Sequence, residues 1–207
     1  KILDDFGEEE SITDANVFIE CDQGFTFEPV SVSEEGVYIL KVDKLEPAYK
    51  YRLSINWNDK EYKSEYLSPL DTPAIDSISV ESPASEKPVY ICVTTHDNEL
   101  EPTYYKWSYR EIWEFNADLF ANAGYLNDKF YMFERHTSQN TYYCWGRDSS
   151  KVMLLATTDK LTENLIYEKE LIEIPRDHDK LKILYYIEVQ QNRIRKEAYE
   201  YFKNIQR

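Results

Sequence analysis

The stretch TYYKWSYREIWEF, residues 103–115, limits the possible folds more than any other part of this sequence. It holds six aromatic residues in thirteen positions, and five of them fall at every second position. Such alternation is typical of a β-strand with one buried face, because successive side chains point to opposite sides. The predicted core face carries Tyr105, Trp107, Tyr109, Trp113 and Phe115, interrupted by Glu111. The other face carries Tyr104, Lys106, Ser108, Arg110, Ile112 and Glu114.

A second patterned region, residues 45–67, predicts two strands joined by a turn at residues 58–60. Together with the strand-like segments before it, this region predicts that residues 12–67 form most of a small β-sandwich. The order of a strand, Leu-x-Pro and Tyr-x-Leu-x-Ile resembles a corner of fibronectin type III and immunoglobulin-like sandwiches, where a tyrosine bonds back to the loop. We therefore expect the hydroxyl of Tyr49 or Tyr51 to bond backbone near residues 45–47.

Residues 68–88 hold four of the eight prolines, which indicates a boundary. Beyond it lie strand-like segments at residues 89–97, 103–115, 129–135, 151–157, 165–174 and 181–190. Apolar residues then recur at steps of three and four, which predicts an amphipathic helix over residues 193–206 that docks through Ile194, Ala198, Tyr201, Phe202 and Ile205. The sequence predicts a mainly β protein: an immunoglobulin/fibronectin-III-like β-sandwich in residues 1–70, then a second antiparallel β domain in residues 71–207 ending in this helix.

Charge and cysteine content exclude some classes of partner and leave the redox state open. A formal charge of −15 would repel phosphate backbones and anionic membrane surfaces, so we expect no nucleic-acid partner. No apolar run approaches the roughly 20 residues that span a bilayer. Cys21, Cys92 and Cys144 are widely spaced, and both one disulfide with a remaining thiol and three buried thiols fit that spacing.

Catalytic and metal motifs are missing from the sequence. It has no G-x-S-x-G elbow and no Cys-His pairing, and its three histidines, His96, His136 and His178, lie in different predicted loops. Carboxylates in residues 97–101 and 177–179 could ligate calcium, but they lack an EF-hand loop, and solvated turn carboxylates are the favoured interpretation. We expect a non-enzymatic protein with no cofactor and no metal site.

The aromatic surplus leaves one candidate ligand surface, for a glycan or a peptide. Aromatic rings beside arginine or asparagine can stack on sugars or hold a peptide, and the alternative is that they fill a core and cover sheet edges. The candidate ligand-binding residues are Tyr104, Tyr142, Tyr143, Trp145 and Arg147. Because a tryptophan side chain gains most from burial, we expect Trp145 to point inward, leaving Tyr142 and Arg147 as contacts, with Asn140 nearby.

Several stretches occur in an order that resembles one known family. They are SPLDTPAIDSISVE, THD followed by YYKWSYREIWEF, CW at residues 144–145, and the strand-helix segment YYIEVQQNRIRKEAYEYFKNI. The family is the Bacteroidota envelope lipoprotein family catalogued as a domain of unknown function, DUF4249, and the resemblance runs from about residue 13 to the end. It implies a lipoprotein on the outer membrane, encoded beside a TonB-dependent receptor, with a role in nutrient capture or receptor assembly.

The resemblance has departures, and it brings no catalytic residues. Family members begin with a further strand and continue after the helix, so we expect this chain to be truncated. Position 195 holds arginine where the family has a capping serine, and Asn192 could cap the helix instead. The expected partner is a TonB-dependent receptor, with membrane association only through a lipid anchor that this chain does not contain. The alternative is a stand-alone carbohydrate- or peptide-binding module.

Overall fold

The computed structural model describes residues 11–42, 44–84, 86–98, 101–119, 123–132 and 142–206. Residues 1–10, Glu99, His136, Asn140 and the end of the predicted strand over residues 129–135 lie outside these residues. The chain divides into two compact units, Lys1–Asp71 and Thr72–Arg207. It is mainly β, with several antiparallel sheets and one C-terminal helix.

The first unit consists of two small antiparallel sheets. One has the strand order β2-β1-β5-β6 and the other pairs β3 with β4. The strands are β1 Asn16–Cys21, β2 Thr26–Phe27, β3 Pro29–Val32, β4 Tyr38–Leu40, β5 Tyr51–Trp57 and β6 Lys60–Lys63. The predicted turn between β5 and β6 is formed by Asn58 and Asp59, whose positive φ angles of 48° and 56° suit a two-residue hairpin.

The corner prediction is confirmed for Tyr51. Its hydroxyl oxygen accepts a hydrogen bond of 2.9 Å from the backbone N–H of Glu46. The ring is buried, at 8% exposure, against Phe25 and Phe27. This contact fixes the loop before β5 to the sheet that β5 enters.

The second unit contains a three-stranded sheet, a sheet centred on β9, and a hairpin. Its strands are β7 Ser77–Glu81, β8 Val89–His96, β9 Tyr104–Asn116, β10 Ala123–Leu126, β11 Lys129–Met132, β12 Tyr143–Ser149, β13 Leu154–Thr157, β14 Leu165–Ile174 and β15 Leu184–Ile194. The first sheet has the order β14-β8-β7, and β10 pairs with β11. In the β9 sheet, β15 lies along one edge of β9 while β12 and β13 follow each other along the other.

The inner face of β9 forms the core where the strand begins, and the later members of the predicted core face are half-buried, namely Tyr109, Trp113 and Phe115. Tyr105 and Trp107 are 0% and 1% exposed and stack with ring centroids 5.4 Å apart. They pack in one cluster with Val93 of β8 and with Ile166 and Leu171 of β14. The cluster therefore joins the two sheets of this unit.

The charged residue in the middle of this face, Glu111, is 1% exposed. Its carboxylate forms an ion pair with Lys180, whose side chain is 12% exposed, and accepts a hydrogen bond of 2.7 Å from the hydroxyl of Tyr185. Lys180 belongs to the short 3-10 helix Asp179–Leu181 and also lies over the ring of Trp113, 4.8 Å from its centroid. The buried carboxylate thus holds the segment before β15 against the inner face of the sheet.

The terminal helix α1 spans Lys196–Ile205, so it begins three residues later than predicted. Strand pairing overrides the helical pattern up to Ile194, which lies opposite Tyr104. The predicted docking face is wrong in part, since Tyr201 and Ile205 are 63% and 47% exposed. Arg195 is the N-cap residue, with no side-chain capping bond, and Asn192 lies within β15.

The three cysteines, all in described segments, form no disulfide with one another. Cys21 and Cys92 are buried, and Cys144 is half-buried. Burial raises the pKa of the Cys92 thiol, and the nearby Glu170 carboxylate adds to that rise. Of the two arrangements that the cysteine spacing allows, the structure therefore has unbridged thiols, two of them buried.

Candidate functional site

The outer face of the β9 sheet, opposite the core, is divided between a covered end and an open end. At the covered end, helix α1 lies on the sheet. Tyr199 packs on Tyr104 with ring centroids 5.3 Å apart, and the Lys106 Nζ lies 4.7 Å from the ring centroid of Phe202. Burial raises the pKa of the Tyr104 hydroxyl, with a smaller contribution from the Asp159 carboxylate.

At the open end, large side chains face solvent across three neighbouring strands. Register places Trp145 of β12 and Leu184 of β15 on either side of Glu114 of β9. Trp145 is 58% exposed and Leu184 is 51% exposed. Residues directly opposite each other on one face of a sheet are close enough for side-chain contact. The row is therefore a continuous surface.

The next row places Arg147 and Tyr186 on either side of Ile112. Tyr186 is 58% exposed and Arg147 is also exposed. We call the apolar members of these two rows, Ile112, Trp145, Leu184 and Tyr186, the aromatic patch. Exposed apolar groups that are contiguous rather than scattered mark interaction surfaces in soluble domains.

A polar groove adjoins the aromatic patch on the side of the covered end. It has a volume of about 580 Å³, and its lining includes Arg110, Ser149, Glu188 and Gln190. Asp148 lies beside it, with its carboxyl pKa lowered by the hydrogen bond from the Ser149 N–H and then by Lys151. The open end thus combines stacking surfaces with two guanidinium groups, which can bind carboxylates through paired N–H donors.

The outward direction of Trp145 corrects the expectation that it points inward. The neighbouring Gly146 lies opposite Trp113, whose indole occupies the space where a side chain at position 146 would be. A Cβ atom at Gly146 would lie 2.2 Å from the Trp113 ring. The space on the inner face at Gly146 is therefore filled by Trp113 of β9. Because neighbouring residues of a strand face opposite sides, Trp145 lies on the outer face. A lone glycine within a strand pattern is the sequence signal for such close approach.

The five sequence-predicted ligand residues lie in three places. Trp145 and Arg147 meet at the open end. Tyr142 and Tyr143 are half-buried where β12 begins, with ring centroids 5.1 Å apart in an edge-to-face arrangement. Tyr104 lies at the covered end, ten positions from Glu114 along β9, or about 33 Å at the usual rise per residue.

Sequence reasoning missed Ile112, Leu184 and Tyr186 as parts of a surface. Each stands among polar residues on the solvent side of its strand, and this is the signal that could have found them. Among the carboxylates considered as calcium ligands, Asp97 has a structural role. Asp97 accepts a hydrogen bond of 2.9 Å from the Thr103 hydroxyl and pairs with Arg193. Within the described residues, no group of three or more histidine, cysteine or acidic side chains could hold a metal ion.

The first unit has an apolar groove of its own, of about 760 Å³. Its apolar lining consists of Ile12, Ala15, Val17, Tyr38, Ile55, Trp57 and Tyr62. Trp57 is held in place by a hydrogen bond of 3.0 Å from its indole N–H to Asp14. Glu35 is the charged side chain among the described lining residues. This groove therefore lacks the arginines that accompany the aromatic patch.

Comparison with known proteins gives the family and nothing more specific. No curated protein and no solved structure matches this chain. In the described part of the chain, no helix has both the length and the apolar character needed to cross a membrane. The model of one family, a domain of unknown function, matches residues 1–207, further than the resemblance from residue 13. The chain belongs to this family, DUF4249.

Proposed function

We propose that this chain is the binding part of a non-enzymatic cell-envelope lipoprotein that serves a TonB-dependent outer-membrane receptor, either as an accessory subunit or in ligand capture. The aromatic patch is the observation that carries this proposal. Trp145, Leu184 and Tyr186 are each more than half exposed and lie in adjacent rows of one sheet face. A folded domain exposes such a surface at a cost in solubility, which favours a binding role.

The fold assigned to the first unit is part of this proposal. We take it to be an immunoglobulin/fibronectin-III-like sandwich, supported by the Tyr51 corner and the two antiparallel sheets. Such sandwiches are common in extracellular and surface proteins. The outer-membrane location and the Bacteroidota source rest on the family resemblance.

Recovery of the receptor from cells tests the proposal. The native lipoprotein is captured from solubilised outer membranes, together with a Trp145→Ser, Tyr186→Ser double variant. The control is Tyr167→Ser, which removes a 68% exposed aromatic side chain from β14, in the other sheet. We expect a TonB-dependent receptor with the native and control proteins and much less with the double variant. Absence of any receptor from the native sample would overturn the proposal.

The second candidate is a stand-alone carbohydrate- or peptide-binding module. The exposed ring of Trp145 beside Arg147 and next to the polar groove favours it, because aromatic faces with adjacent polar groups suit sugar rings and peptide carboxylates. An adjacent glycosidase gene would support this candidate, and an adjacent receptor gene would support the first. Binding of a glycan to the isolated chain, abolished by Trp145→Ala, would establish it.

A further inference from the structure

Strand β15 is paired along one edge, and no described strand lies along the other. It pairs with β9 over eleven consecutive residues, from Leu184 opposite Glu114 to Ile194 opposite Tyr104, without a bulge. Among the described strands, β9 is its one partner. Unpaired strand edges present rows of N–H and C=O groups that can pair with another chain.

The direction of each backbone group follows from neighbouring hydrogen bonds. In an antiparallel pair, successive residues direct their N–H and C=O groups to opposite edges. The Tyr109 carbonyl accepts a hydrogen bond of 3.0 Å from Ser150, which follows β12. In β9, the backbone N–H and C=O groups of odd-numbered residues therefore point towards β12, and those of even-numbered residues point towards β15. Even-numbered residues of β15 lie opposite the even-numbered residues of β9, so their backbone groups point towards β9. The backbone groups of the odd-numbered residues of β15 therefore point outward, away from the sheet.

A second observation agrees with this assignment and marks the limit of the open edge. The backbone N–H of Arg193 donates to Thr72 Oγ1 at 3.2 Å, and the side-chain amide of Gln191 donates from Nε2 to the Pro73 carbonyl at 2.8 Å. The segment at residues 72–73 therefore covers the end of the β15 edge. Beyond it, the backbone groups of Tyr185, Ile187 and Val189 point outward. Among the described residues, none of these three takes part in a backbone hydrogen bond outside regular strand pairing.

The side chains beside this edge define the chemistry of a matching strand. On the outer face Leu184 and Tyr186 are 51% and 58% exposed, and the next residue on that face, Glu188, is exposed and acidic. A matching antiparallel strand would carry apolar side chains opposite Leu184 and Tyr186 and a basic side chain opposite Glu188. The formal charge of −15 favours a basic occupant and disfavours a second copy of this chain.

We propose that the β15 edge binds an extended peptide segment by antiparallel strand addition, with the pattern basic-x-apolar-x-apolar in the N-to-C direction. Outward N–H and C=O groups of Tyr185 and Ile187 supply the backbone hydrogen bonds. The apolar residues of the peptide extend the aromatic patch by one strand. Backbone pairing provides affinity and the alternate side chains provide selectivity. This inference does not depend on the receptor assignment.

A labelled peptide containing Lys-Thr-Val-Thr-Val provides the probe, with binding to the full chain followed by fluorescence anisotropy. Ile187→Pro removes one outward N–H while leaving the bonds to β9, since proline is tolerated where the N–H faces away from the sheet. Ile187→Ala is the matched control, because it shortens the same side chain and keeps the N–H. We expect Ile187→Pro to weaken peptide binding about five- to tenfold more than Ile187→Ala does, because it removes one backbone hydrogen bond to the peptide. Thermal melting of both variants confirms that they are folded.

Methylated peptides test the same geometry without changing the protein. N-methylation at both Thr residues should weaken binding, because their N–H groups face the β15 edge, whereas methylation at both Val residues should not. Equal binding by the Pro and Ala variants, equal binding by the two methylated peptides, or no binding to the native chain would each overturn the proposal. A native dimer in sedimentation that Ile187→Pro dissociates would assign the edge to a second copy instead.

Discussion

The two faces of β9 share one backbone and one alternation but differ in what covers them. On the inner face, Trp107 is 1% exposed and donates its indole N–H to Gln191 at 2.7 Å. On the outer face, Trp145 of the neighbouring strand is 58% exposed. The difference teaches that an aromatic residue in a strand reports amphipathicity and not burial, because burial depends on which layer lies opposite.

The largest expected effect concerns the inner face. Trp107→Ala should lower the free energy of unfolding by about 4 kcal/mol, because it leaves a cavity between the two sheets and removes a hydrogen bond. Trp145→Ala is the matched control on the outer face and should change stability by no more than about 0.5 kcal/mol. Urea denaturation of both variants measures the difference. Similar losses for the two would mean that the open end is covered.

The buried ion pair provides the second test of the inner face. Lys180→Met should lower stability by about 3 kcal/mol, because it leaves the Glu111 carboxylate in the core without its cation. Lys182→Met is the control, since this lysine is 44% exposed and pairs with Asp179 at the surface, where such pairs contribute under about 1 kcal/mol.

Adding Glu111→Gln to Lys180→Met should restore part of the lost stability. The double variant no longer buries an unpaired charge. A double variant less stable than Lys180→Met alone would contradict this account.

Alkaline pH separates the two faces in a third way. Burial raises the pKa of the Tyr185 hydroxyl, and its hydrogen bond to Glu111 raises it further. Because the pKa is higher in the folded state, the contribution of the protonated tyrosine is complete below pH 10 or so and is lost as the pH rises beyond it.

Tyr185→Phe should therefore cost about 2 kcal/mol at neutral pH, the value of a hydrogen bond to a charged group. It should also flatten the alkaline fall in stability. Tyr186→Phe, on the outer face, should leave both quantities near native values. Unfolding measured across the alkaline range would decide between these outcomes, and an equal effect of the two substitutions would contradict the assignment.

The smallest expected effect is at the covered end of the outer face. Phe202 is half-buried and contacts Lys106, so Phe202→Ala should cost about 1 kcal/mol, well below the 3–5 kcal/mol expected for full burial. Tyr201→Ala removes an adjacent, exposed ring of the same helix and should cost less. A loss near zero for Phe202→Ala would show that α1 does not stabilise the sheet.

Local pattern predicted the parts of the fold that depend on one strand at a time. The alternation in residues 103–115 identified the buried side of β9. The loop pattern before β5 predicted a corner tyrosine at Tyr49 or Tyr51, and the structure shows that it is Tyr51. The errors arose where a distant segment decides the outcome. Trp113 takes the inner position beside Gly146, and Tyr104 extends the pairing of β15 through Ile194, past the predicted start of the helix.

The candidate surface was predicted in part for the same reason. Trp145 and Arg147 were named from composition, although the inward direction expected for Trp145 was wrong. Leu184 and Tyr186 join them only through pairing with β9. No local signal gives the register between strands so far apart in sequence.

The pairing of β9 with β15 has a consequence for how the chain is made. Its partners are separated by 90 residues at one end, from Tyr104 to Ile194, and by 70 at the other, from Glu114 to Leu184. Contacts between residues so far apart in sequence form slowly, because closing the long loop between them costs conformational entropy. During synthesis, β9 therefore has one edge unpaired until β15 has been translated. An unpaired strand edge of this kind makes a partly folded chain prone to aggregation.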